Sequence, residues 1–146
     1  MSSEVEKFIG SWGLDSTDNF DNYMKALGVG YIMRKVGNSI SPTQHINMEG
    51  DIVIIKTTST FKNTEIRFQL GKEFTEVTAD NCTVKSTVEL DGNVLVHKQV
   101  KEDGEIRTIM KRYLDSDDLL VMVLETKNDK GEEVVCTRKY KKVKEI

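Results

Sequence analysis

The sequence predicts an all-β fold: ten antiparallel strands in up-and-down order that curl into a barrel, with two short helices after the first strand. Three observations predict it. Beyond residue 42, turn signals recur about every ten residues. The runs between those turns lack a helical period of useful length. Only residues 17–38 place apolar side chains at helical spacing.

Phe8, Gly10, Trp12 and Leu14 share one face of an opening strand over residues 8–14. Gly10 inside that strand marks a bend or a close backbone approach. Phe20, Tyr23, Met24 and Leu27 then fall at i, i+3, i+4 and i+7. Thr17 or Asp18 is placed to cap this helix, and Gly28 to stop it. Val29, Ile32, Met33 and Val36 repeat the stripe as far as Gly37-Asn38. Both stripes suit packing against a sheet; a lid is the alternative. After Ser41-Pro42, glycine-, asparagine- and aspartate-bearing turns separate nine strand-like runs: 43–48, 52–59, 64–70, 73–78, 82–90, 94–101, 105–114, 119–127 and 132–143. Ten strands joined by tight hairpins curl and close. A barrel wider than eight strands need not be filled by side chains, which leaves room for a cavity.

The side-chain faces give that cavity a chemistry. In the last run, Cys136, Arg138 and Tyr140 share one face, and Thr137, Lys139 and Lys141 the other. The second is an ordinary wet face. An arginine on the inward face needs an anion, because a buried unpaired charge is costly. In run 105–114, Lys111 and Arg112 compete for the inward position, and the uncharged partners Thr108 and Met110 favour Arg112. Leu95, His97 and Gln99 fall together, as do Leu119, Val121 and Val123. An interior built from these faces sets apolar walls (Met110, Val121, Val123, Cys136) around a few polar groups (Arg112, Arg138, Tyr140, His97, Gln99). That is a poor dry core and a good pocket. His97 reads as a wall residue bonded to Gln99 or water, and His45 as exposed.

Composition bounds the rest. The 146 residues suit a single domain, 1–146, with a sizeable core. With 38% hydrophobic and 31% charged residues, and both signs mixed, this is an ordinary globular chain. A net charge of −3 argues against general nucleic-acid binding. No apolar run approaches the roughly 18–20 residues of a membrane helix. The N-terminus carries no basic-then-apolar signal, so a cytosolic protein is expected; a monomer is expected as well. Cys82 and Cys136 read as reduced thiols, with no metal or cofactor implied. Metal-protease, phosphate-loop and nucleophile-elbow motifs are missing from the sequence, and no enzyme is expected.

Several stretches resemble one family. They are Phe8-Ile9-Gly10-Ser11-Trp12, residues 19–30 (Asn-Phe-Asp-Asn-Tyr-Met-Lys-Ala-Leu-Gly-Val-Gly), residues 59–66 (Ser-Thr-Phe-Lys-Asn-Thr-Glu-Ile), Gly71-Lys72-Glu73-Phe74, Thr78-Ala79-Asp80, Val84-Lys85-Ser86 and Cys136-Thr137-Arg138-Lys139-Tyr140. Together they resemble the cytosolic fatty-acid-binding proteins, most of all the muscle, adipose and myelin branch, from about residue 5 to residue 143. The resemblance implies a clam-shaped ten-stranded barrel capped by a helix-turn-helix, carrying a long-chain fatty acid inside. It implies a carboxylate anchor of Arg138 and Tyr140 with an arginine two strands earlier. Arg112 falls on that position if the hairpin at Glu102-Asp103-Gly104 is one residue longer than usual. Phe20 and Met24 would be pocket walls, and Val29, Met33, Val36, Phe61, Ala79 and Asp80 would form a portal. The chain departs from the branch in a longer hairpin at residues 128–132 and in extra residues at both ends.

Lys25, Arg34 and Lys35 lie on the polar side of the cap. They form a solvated face, a contact with anionic membranes during ligand transfer, or a nuclear-import patch made by the fold. Two other functions stay open: a retinoic-acid carrier, which shares the two-arginine anchor, and a peripheral membrane-bridging protein using the basic residues from Arg138 to Lys144. Residues 59–66 lean towards the fatty-acid branch. Arg138 disfavours a retinol carrier, whose anchor is neutral.

Overall fold

Alternating inward residues and tight turns give one antiparallel sheet. The computed structural model describes residues 3–144. Its strands are β1 (Gly10–Asp18), β2 (Thr43–Glu49), β3 (Ile52–Thr58), β4 (Thr64–Phe68), β5 (Phe74–Val77), β6 (Thr83–Asp91), β7 (Val94–Val100), β8 (Ile106–Ser116), β9 (Leu119–Lys127) and β10 (Glu133–Lys142). They run in the order β4-β3-β2-β1-β10-β9-β8-β7-β6-β5. Every neighbour is consecutive in sequence except β1 and β10, whose pairing brings the first and last strands together. The barrel is nearly closed: β4 and β5 are its two edges, and stacked Phe68 and Phe74 rings, 5.3 Å apart, span the gap.

Among the described residues three helices complete the fold: α1 (Ser3–Glu6), α2 (Phe20–Ala26) and α3 (Tyr31–Ser39). α1 is absent from the sequence reading, because four residues carry no periodic stripe. It delivers Val5, fully buried, beside Phe8 and Trp12. Trp12 Nε1 donates to Phe8 O at 2.9 Å. These residues, with Val53, Leu95 and Leu120, form the core at the closed end of the barrel, where the β2–β3, β6–β7 and β8–β9 turns lie.

The helix ends differ from expectation. β1 runs on through Thr17 and Asp18, so neither caps α2. Asn19 stands at that position, in a left-handed conformation (φ 70°), and its side chain makes no cap bond to the helix. It donates instead to Val135 O at 2.9 Å, tying the start of the cap to β10. Gly37 does not stop α3, which continues to Ser39. A Cβ there would lie 2.6 Å from Met24 Sδ, so the glycine serves the close approach of α2 and α3. Tyr23 anchors the cap to the wall. Its hydroxyl lies 2.7 Å from Thr108 Oγ1, which itself donates to Glu125 O, so Tyr23 is the donor. Burial pushes the Tyr23 phenol up to about 12.

Candidate ligand cavity

Between the closed-end core and the helical cap lies a cavity of about 670 Å³. Its walls are mostly apolar: Phe20, Met24, Ile55, Met110, Met122 and Leu124 all line it. Its polar groups fall into two sets.

The first set surrounds two buried guanidinium groups. β10 directs Arg138 and Tyr140 inward, 5% and 3% exposed. Arg138 Nε donates to Tyr140 Oη at 3.2 Å, and Nη1 donates to Thr17 Oγ1 at 3.2 Å. Its guanidinium lies over the Phe20 ring, 3.9 Å from the centroid, in cation–π contact. Arg112, 5% exposed, reaches the same interior from β8. Its Nε donates to Gln44 Oε1 at 3.0 Å, and its buried Nη1 has no hydrogen-bond partner. Burial presses the Arg112 guanidinium below its ordinary value, against the opposing influence of Tyr140 and Glu76. Both arginines thus bond to neutral oxygens. Among the described residues, no carboxylate forms an ion pair with either.

The second set runs along β5 to β8. Glu76 Oε1 accepts from Ser86 Oγ at 2.8 Å and from His97 Nε2 at 2.9 Å. Burial alone would raise the Glu76 carboxyl. Its bonds to His97, Ser86 and Gln99 outweigh that and leave it below the ordinary carboxylate value. Burial lowers His97, the Glu76 bond opposes it, and the Arg112 charge lowers it further. The direction that suits both partners is an ionised Glu76 receiving the Nε2–H of a neutral imidazole. Arg107 continues the set: Nη1 lies 3.4 Å from Gln99 Oε1, and Nη2 pairs with Asp80.

The mouth is framed by α3 and the β3–β4 and β5–β6 turns. Tyr31, Ile32, Met33, Phe61 and Val77 stand exposed there. Lys62 Nζ crosses from the first turn to the second, meeting Ala79 O at 3.1 Å and Asn81 Oδ1 at 3.2 Å.

Of the residues singled out from sequence, Phe20, Met24, Val29, Met33, Val36, Phe61, Ala79, Asp80, His97, Gln99, Met110, Arg112, Arg138 and Tyr140 all line the cavity. Three do not. Val121 and Val123 pair with Tyr113 and Lys111 on the outer face, while Met122 and Leu124 point inward opposite Arg112 and Met110. The run Leu119-Leu-Val-Met-Val-Leu124 is apolar throughout, so parity could not be read from it. Cys136 is fully buried within the core, its Sγ 3.9 Å from Thr17 Oγ1. Burial pushes its thiol up, with Arg138 too weak an opposing influence. His45 is half-buried rather than exposed, bonded to Ser11 at 2.8 Å and Thr58 at 3.1 Å. His97 bonds to Glu76, not to Gln99.

Lys111 faces outward and meets Glu125 at 3.0 Å, so Arg112 takes the interior position. The extra residue that this alignment requires is a bulge: Gln99 pairs with Thr108 and Val100 with Ile106, leaving Arg107 unpaired between them. A bulge re-aims a side chain. Here it turns Arg107 inward beside Thr108, which strict alternation forbids. Gln44, Glu76 and Arg107 are cavity residues that sequence reasoning missed. Pairing partners far apart in the chain gave no local signal for them.

A nearly closed ten-stranded barrel with a capped, mainly apolar cavity defines a lipid-binding barrel protein. The profile of the "Lipocalin / cytosolic fatty-acid binding protein family" matches residues 9–143. The chain belongs to that family. It is similar to a fatty acid-binding protein from brain tissue of Drosophila melanogaster, at 44% identity over 92% of this chain and 98% of that one, with TM-score 0.80. It is also similar to a protein described as the REP1-NXSQ fatty acid transporter (41% identity, 97% and 99% covered, TM-score 0.85). A third likeness is to a Schistosoma mansoni fatty acid binding protein in complex with arachidonic acid (34% identity, 97% and 100% covered, TM-score 0.86).

Proposed function

We propose that this protein is a cytosolic, monomeric carrier that binds a long-chain fatty acid as its carboxylate, held by Arg138, Tyr140 and Arg112. One observation carries the reading: two guanidinium groups are buried beside a mostly apolar cavity, bonded to hydroxyl and amide oxygens, and among the described residues neither has a carboxylate in ion-pair contact. A ligand anion supplies the missing charge, and charge-assisted bonds to guanidinium are among the stronger hydrogen bonds. Arg138 Nε already donates to Tyr140 Oη, which leaves the phenolic proton free to donate to the same anion.

The acyl chain then occupies the apolar walls. Each methylene buried gains about 0.8 kcal/mol, so a long chain gains on the order of 10 kcal/mol gross. Ordering the ligand and stripping water from its head offset much of this. The exposed apolar residues at the mouth, with Lys25 and Lys35 exposed nearby, suit a transient contact with anionic bilayers during transfer. Arg34 contributes less there, since it is engaged with Asp21 at 3.2 Å and Val29 O at 2.9 Å.

Calorimetric titration of the delipidated protein with oleate and with oleyl alcohol tests the reading. Tight oleate and weak alcohol are expected. Equal affinities would overturn the carboxylate anchor, and tighter binding of retinoic acid than oleate would replace the fatty acid by a retinoid.

A further inference from the structure

Gln44 reaches Arg112 across the inside of the barrel. It projects from β2, whereas Arg112 projects from β8, and three strands separate the two in the sheet. Arginine only donates, so the Gln44 atom facing Arg112 Nε at 3.0 Å must be the carbonyl oxygen. The amide nitrogen then points to Met122 Sδ, at 3.3 Å. Gln44 is only 2% exposed, and both ends of its amide are engaged. One edge of the Arg112 guanidinium is therefore held, while Nη1 is left unpartnered.

We propose that Gln44 is a positioning and specificity-determining residue, which fixes Arg112 while leaving its charge for the ligand, so that the cavity selects an anionic over a neutral lipid head. This deepens the fatty-acid reading and rests on it. One atom of the Gln44 side chain decides how the Arg112 charge is handled. A carboxylate has the same shape as the carboxamide and would keep the bond to Nε, yet it would add an internal counter-ion in contact with Arg112. The site would then be half neutralised without ligand, and an incoming carboxylate would meet a like charge. An apolar side chain of similar length would release Arg112 to other rotamers. The carboxamide is the group that orients without neutralising.

The test compares the oleate-to-oleyl-alcohol affinity ratio of delipidated wild type, Gln44→Glu and Gln44→Met by calorimetry. In Gln44→Glu the ratio should fall about 30-fold or more, with the alcohol within about threefold of wild type, since a like charge now faces the ligand head. In Gln44→Met the ratio should fall about tenfold through loss of orientation. Should Gln44→Glu fail to fold by circular dichroism, Gln44→Met carries the test alone. A ratio unchanged in the folded variants, or an equal loss for both ligands, overturns the role of Gln44. That failure is separable from failure of the carrier reading, which wild type alone would reveal by showing no preference for oleate.

Discussion

Arg107 and Arg112 lie on the same strand, both buried and both lining the same cavity, yet their charges are handled in opposite ways. Arg107 is matched within the chain: Asp80 takes its charge and Gln99 a second donor. Arg112 receives an amide oxygen and no ion-pair partner among the described residues, and across the cavity Arg138 receives two hydroxyls. Burial of an arginine is thus a poor marker of a ligand site by itself. The informative feature is the kind of oxygen it meets. Arg107 ties the β5–β6 turn at the mouth to the barrel wall, whereas Arg112 and Arg138 form no ion pair among the described residues, which on the proposed reading leaves their charge for a ligand anion.

The sharpest way to break this comparison is to remove a charge from each side. Arg138→Gln should weaken oleate by about 100-fold, corresponding to the loss of about 2–5 kcal/mol usual when one partner of a buried charged pair is truncated. Oleyl alcohol should change within about threefold, and calorimetry reads both. Arg107→Leu should do the reverse. It leaves Asp80 without its cation and should cost about 1–3 kcal/mol of stability in urea unfolding, while shifting oleate and alcohol together. A selective loss of oleate in Arg107→Leu would place Arg107 in the anchor and erase the distinction.

The smallest expected effect concerns pH. His97 is held below its ordinary value, so it is neutral when folded and gains a proton on unfolding. The stability this represents is complete above its unfolded value, about 6.5, and is lost as pH falls towards the lower folded value. Glu76, also lowered, acts in the same direction at still lower pH. Thermal unfolding should therefore move to lower temperature as pH falls below about 6.5. His97→Gln, which keeps a donor for Glu76, should flatten that slope.

Most of the fold was legible because the strands obey two local rules, period-two burial and frequent turns. β9 is matched at both ends, at Leu119 and Lys127, and the other strands of the run from β2 to β10 within about two residues. The two cap helices were legible from their stripes, though their ends were not. Asn19 and Gly37 serve contacts with Val135 and Met24 that no local pattern encodes. The arginines of the site were legible where alternation held, at Arg138, and where an uncharged face pointed the way, at Arg112. Alternation failed at Val121 and Val123, where both faces of β9 are apolar, and at Arg107, where a bulge resets the parity. Gln44 and Glu76 were invisible because each owes its role to a partner on another strand.

On the proposed reading, Arg112 and Arg138 hold a ligand carboxylate in its ionised form. Carboxyl-¹³C oleate bound to the delipidated protein, followed by NMR from pH 8 to 5, tests it most directly. Two buried cations should keep the carboxylate ionised, with its chemical shift constant across that range, and Arg138→Gln should bring the titration back into it. A bound carboxyl that takes up its proton within that range in the wild type would contradict the account, because burial without matching charge raises a carboxyl rather than lowering it.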